Sequence, residues 1–128
     1  MSAKSDYLEN KVVDHFLGTS STTAPSAVYL ALFTSDPTDA GSGTEVSGNG
    51  YARQAITFAA SSSGSASSNS AEEFTASGGA FGTVTHFGIF DASTSGNLLY
   101  HGALTASKTI ADGDTLRFAS GNITITEA

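Results

Sequence analysis

Val28–Thr34, VYLALFT, is the stretch that decides the fold. In an extended chain Val28, Leu30 and Leu32 fall on one side, and Tyr29, Ala31 and Phe33 on the other. Both sides are apolar, so the strand needs cover on both faces, as a central strand has. Strand signals recur on either side of it at short, regular spacing. Tyr51–Phe58 (YARQAITF), Thr83–Phe90 (TVTHFGIF) and Leu98–Thr105 (LLYHGALT) each read as strands, and a short one is possible around Glu73–Ala76. The closing stretch 115–126 alternates, with Ile123 and Ile125 inward, and Gly121 reads as a bulge within one long strand.

Turn chemistry separates these segments. DASTSGN between Phe90 and Leu98 is a hairpin loop, and Asp112-Gly113 is a turn. Residues 35–50 hold turn residues almost exclusively, and loops that long are usually functional or mobile. The Ser-rich segment 60–71 has linker composition, but strands precede and follow it, so it reads as a strand edge or loop. Before all of this, residues 5–17 form one amphipathic helix. Ser5 or Asp6 caps it, Asp6 and Glu9 suit the positive end of its dipole, and Gly18 stops it. Leu8, Val12 and Phe16 make its apolar stripe, widened by Val13 and Leu17, and the expected role is covering one end of a sheet, with docking on a partner as the alternative. Beyond residue 18 no helical period recurs. The expectation is one all-β domain over residues 1–128, an antiparallel β-sandwich or jelly-roll-like fold with one short N-terminal helix.

Composition narrows the function. Only 13% of the 128 residues are charged, against roughly 25% in an average soluble protein. With 8 Phe and 4 Tyr the chain still has a core to bury, which separates it from disordered chains. The surface must then be largely Ser, Thr, Gly and Ala, which lose little rotamer entropy in a packed contact. A net charge of −7 with 5 basic residues argues against nucleic acid and against an anionic membrane surface. No apolar run is long enough to span a bilayer, and the first residues do not read as a secretory signal. Zero cysteines exclude disulfides and thiolate metal sites.

The search for chemistry returns little. His15, His86 and His101 lack metal-ligand spacing, although strand pairing could bring His86 and His101 together. Asp36 with Asp39, and Asp112 with Asp114, are compatible with calcium, but shaping turns is the simpler role. Serines are frequent, yet no nucleophile elbow or glycine-rich phosphate cradle occurs. The expectation is a non-enzymatic protein with no cofactor and no metal. Tyr51, Tyr100 and Phe87 could stack on a sugar or fill a partner's pocket, with core packing the stronger reading.

SDYLENKVVDH, VYLALFTSDPTDAG, GYARQAITF, THFGIFDAS, GNLLYHGAL and DGDTLRFASGNITIT together resemble a family of small virion structural proteins of tailed bacteriophages. The blocks are spread from residue 5 to residue 126, and the longest gap between them, 59–84, holds the Ser-rich segment. The resemblance implies a β-sandwich or jelly-roll subunit of a symmetric assembly, labelled as head decoration (cement) or tail fibre. The expected role is a decoration protein binding the major capsid protein or another virion protein, as a homotrimer. The alternative is a tail-fibre, receptor-binding subunit recognising host surface glycan. The expected location is the phage particle, assembled in the host cytoplasm. Partner contacts are expected from Leu8, Val12 and Phe16 on the helix, Asp36 and Asp39 in the long loop, and Tyr51.

Overall fold

The computed structural model describes residues 2–127. In chain order the elements are β1 (Ser2–Lys4), α1 (Asp6–Phe16), β2 (Val28–Phe33), β3 (Gln54–Ile56), β4 (Ser65–Ser67), β5 (Glu72–Thr75), β6 (Gly82–Phe90), β7 (Leu98–Ile110), β8 (Thr115–Phe118) and β9 (Thr124–Thr126). A five-stranded sheet runs β1-β7-β6-β2-β3, with every neighbour antiparallel. Two antiparallel ribbons, β4-β9 and β5-β8, make up the second layer.

The two-sided strand is where its pattern requires it to be. Leu30 and Leu32 face the ribbons and join one core with Val84, Phe87 and Ile89 from β6 and Phe74, Leu116, Phe118 and Ile123 from the second layer. Ala31 and Phe33 point the other way and pack with Phe90 and Leu98. Sheet residues between these clusters have no room to spare. A Cβ on Gly88 would lie 2.9 Å from the Leu98 side chain and 3.0 Å from Phe33. At the β6–β7 turn, Gly96 has φ +75° and a Cβ there would meet Asp91 Oδ1 at 2.6 Å, the atom that accepts from Asn97 N–H at 2.7 Å.

The structure redraws several sequence-based boundaries. The strand over 51–58 is regular only at Gln54–Ile56, because Tyr51 and Arg53 turn their side chains to other tasks. The strand over 98–105 continues to Ile110 and pairs with the start of β6. The stretch 115–126 is two strands in different ribbons. Gly121, at φ +88°, sits in the turn between them, where its N–H donates to Ser68 O at 2.7 Å. The Ser-rich segment supplies β4 and the buried Ser68, whose hydroxyl oxygen accepts from Gly121 and Ile123 N–H groups.

Residues 35–50 are anchored. Thr34 N–H donates to Thr44 O and Val46 N–H to Leu32 O, each at 2.9 Å, so the loop's return leg extends the sheet beside β2. Glu45 on that leg grips Arg53 through two parallel bonds, Nε to Oε2 and Nη2 to Oε1, both 2.8 Å. Arg53 Nη1 also donates to the Ala92 and Ser95 carbonyls, and its guanidinium lies 3.7 Å above the Phe90 ring. Tyr51 donates its hydroxyl proton to Glu45 at 2.6 Å and accepts from Leu32 N–H. The hydrogen bonds to Glu45 hold the Arg53 pKa above its ordinary value against the opposing effect of burial.

The Arg53 side chain is 8% exposed, so removing it strands a partly buried carboxylate. Arg53→Ala is expected to lower unfolding free energy by about 3 kcal/mol, and Arg53→Lys to recover only part of that, since an ammonium cannot form the fork. Urea unfolding of the three proteins checks both statements.

Candidate functional site

α1 is attached by its first turn and by little else. Ser5 is buried at the helix N-cap, where its hydroxyl oxygen accepts from Leu8 N–H at 3.2 Å. The same hydroxyl donates to Leu98 O, Ser5 N–H donates to Leu99 O, and Asp6 N–H donates to Asp39 O. The helix therefore starts on β7 and on the 35–50 loop. Beyond that turn no residue of α1 is buried. Leu8 and Val12 are half-buried, whereas Val13 is 54%, Phe16 77% and Leu17 75% exposed. The sheet-covering role expected of this helix is met only in part, by Leu8 and Val12.

Its far end is nonetheless ordered by polar contacts. Leu17 N–H closes on Val13 O, Thr19 bonds the Asp14 carboxylate, and Thr22 N–H donates to His15 Nδ1. The His15 ring stands edge-on to Phe16. The helix end, closed by these local bonds alone, thus presents three large apolar side chains to solvent.

The other expected contact residues are placed differently. Asp36 and Asp39 come together at His101, which is buried on β7. His101 Nε2 lies 2.8 Å from Asp39 and Nδ1 3.9 Å from Asp36. Asp36 also accepts from Thr38 N–H, which shapes the turn around the buried Pro37. Both carboxylates remain about half exposed. His86 does not meet His101; its ring bonds the Thr85 hydroxyl. Asp114 accepts from Ala111 N–H within its own turn, and Asp112 accepts from Gly78 N–H, which ties that turn to the loop after β5. Tyr51 is inside, stacked near Phe74 and edge-on to Phe81, and burial drives its hydroxyl pKa well up. Phe87 is core.

Tyr100 lies at a cleft of about 440 Å³ between the large sheet and the β4-β9 ribbon, with Val28, Phe58, Ile89, Ile125 and Glu127. Glu127 accepts from Lys4 and, at 2.8 Å, from the Tyr100 hydroxyl, which closes the chain's last described residue onto β1 and β7. Burial and the Glu127 carboxylate raise the Tyr100 pKa. Partial burial pushes the Glu127 carboxyl up, but the hydrogen bonds from Lys4 and Tyr100 outweigh it, and its pKa is lowered. A second cleft, about 520 Å³, opens along the seam between β7 and the β8–β9 segment and is lined by Lys108 and Arg117. Neither cleft was legible in the sequence, because each is walled by strands distant in the chain.

A family model described as podophage GP4 fiber I protein gp80 matches residues 3–126. No curated protein matches the chain.

The lowered Glu127 pKa stabilises the fold above the ordinary carboxylate pKa near about 4.3, and that contribution is lost as pH falls through the lower folded value. The raised Tyr100 pKa acts oppositely: its contribution is full below about pH 10 and is lost as pH rises further. Thermal midpoints should therefore fall less steeply with acid in Glu127→Gln, and less steeply with alkali in Tyr100→Phe, than in the parent.

Proposed function

The chain belongs to this podophage fibre protein family, a family of structural virion proteins, and from that premise we propose that it is a fibre subunit docking through α1. The role is non-enzymatic. The observation that carries it is the exposure of Val13, Phe16 and Leu17 at the end of a helix that is anchored to the sheet through its first turn. An apolar helix face left outside a closed sandwich favours a protein partner, and helix-in-groove packing is the mode that such a face fits. Leu8, Val12 and Phe16 supply the spacing of the contact. The exposed carboxylates of Asp36 and Asp39, beside the helix N-terminus, would flank it. Tyr51 contributes by holding the loop rather than by touching the partner.

The family match favours a fibre position over a clamp on the major capsid protein. The partner is another virion protein, with self-association as a homotrimer the expected state. Cryo-electron microscopy of intact particles tests the position: density for the chain on the fibre supports this reading, and density confined to the head surface restores the decoration role.

Val13 and Phe16 are solvent-exposed, so the double variant Val13→Asp/Phe16→Asp should fold with a stability change within about 1 kcal/mol. It should fail to enter particles, and light scattering should report the 12.9 kDa monomer where the parent gives a trimer. Incorporation at the parental level would remove α1 as the docking element.

A further inference from the structure

The basic residues are few enough to follow one by one. Of 5 Lys and Arg, Lys4 holds Glu127, Lys11 lies over the Tyr7 ring at 5.6 Å, and Arg53 is spent on Glu45. The remaining two, Lys108 and Arg117, line the same 520 Å³ cleft. In a chain of net charge −7, two cations thus share one concave surface. Arg117 uses Nε toward Glu73 at 3.3 Å, a contact more than half exposed on both sides and therefore weak. Among the described residues, the Lys108 side chain has no hydrogen-bonding or ionic partner.

The backbone builds this cleft deliberately. Between the paired positions Val84↔Lys108 and His86↔Ala103, the four residues Leu104–Ser107 stand opposite the single residue Thr85. So large a bulge bends β7 and re-aims the side chains that follow it. Leu104 and Thr105 become one wall, and Arg117, Asn122 and Thr124 the other. The floor is apolar, from Phe87, Leu116 and Ile123. A cavity of this size accepts a sugar-sized molecule. Its walls offer two cations for one anionic group, and hydroxyls and an amide for a ligand's own hydroxyls.

We propose that the β7–β8 seam is a binding site for an acidic saccharide unit, with Lys108 and Arg117 on its carboxylate or phosphate and Thr105, Asn122 and Thr124 facing its hydroxyls. The site is separate from α1 and stands or falls independently of helix docking. Glucuronate and glucose 6-phosphate represent the two sources of negative charge, and glucose is the uncharged control.

The test is titration of the intact chain with each sugar, followed by amide chemical shifts and calorimetry. Saturable shifts centred on residues 104–108 and 117–124 are expected with one or both acidic sugars, and glucose should bind at least about tenfold more weakly. Whichever acidic sugar binds identifies the anion. Lys108→Ala and Arg117→Ala, both at exposed side chains and checked for unchanged thermal midpoints, should each weaken binding roughly tenfold. Binding should also weaken with added salt. No saturable shift with either acidic sugar, equal binding of glucose, or parental affinity in folded Lys108→Ala overturns the assignment.

Discussion

The fork between Glu45 and Arg53 is the constraint on which the remaining structure depends. Glu45 lies midway along the return from β2 to β3 and Arg53 at its end, and their pairing closes the second half of that return. Arg53 then reaches the Ala92 and Ser95 carbonyls, so the β6–β7 hairpin loop is tied to the same point. Its guanidinium covers Phe90, which stacks on Phe33 with ring centroids 6.1 Å apart. Through Tyr51 the carboxylate also supports the Leu32 N–H, a β2 backbone donor that would otherwise be unsatisfied beside the core. One charge pair therefore fixes a loop, a hairpin and a strand. Lysine in place of arginine would lose that reach, because only the planar fork serves a carboxylate and two carbonyls at once.

Elsewhere the molecule uses neutral pairs where other proteins use charge. Thr75 and Thr115, Thr83 and Thr109, and Ser67 and Thr124 stand directly opposite one another on paired strands. Their hydroxyls meet at 2.8, 3.0 and 3.0 Å. Such cross-strand pairs contribute about 0.2–1 kcal/mol each and involve no charge desolvation. The low charged fraction thus has a structural origin in these hydroxyl ladders as well as a functional one. A surface of this kind leaves charge free for a few placed tasks.

The layered β-fold was legible where the sequence period alone determines placement. VYLALFT reads as a two-faced strand, and Leu30 and Phe33 do go to opposite cores. Ser5 reads as a helix cap, and it is one. The long loop and the closing strand pair were less legible, because pairing partners decide them. Gly121 looks alike as a bulge or a turn until Ser68 is seen to receive its N–H. Arg53 and Glu45 are eight positions apart with no periodic signal, so nothing local marks them as partners. The helix was misread for a related reason. Its apolar stripe is real, but an apolar stripe does not say how much of it the chain itself covers, and here Leu8 and Val12 are half-buried while Phe16 is left exposed.

The two proposed functional surfaces meet on one element. Ser5 bonds the Leu98 and Leu99 carbonyls at the start of β7, and β1 pairs with the strand from Tyr100 to Gly102. The bulge at Leu104–Ser107 and Lys108 follow in the strand's second half. β7 is the longest strand, 13 residues, and it lies between β1 and β6. A rigid strand that anchors an outward helix at one end and shapes a cationic cleft at the other keeps attachment and recognition apart. A fibre subunit needs that separation, since a surface committed to its neighbours is no longer available to a ligand. The bulge lets one strand do both, because the half that pairs with β1 and anchors α1 and the half that lines the cleft lie on either side of it.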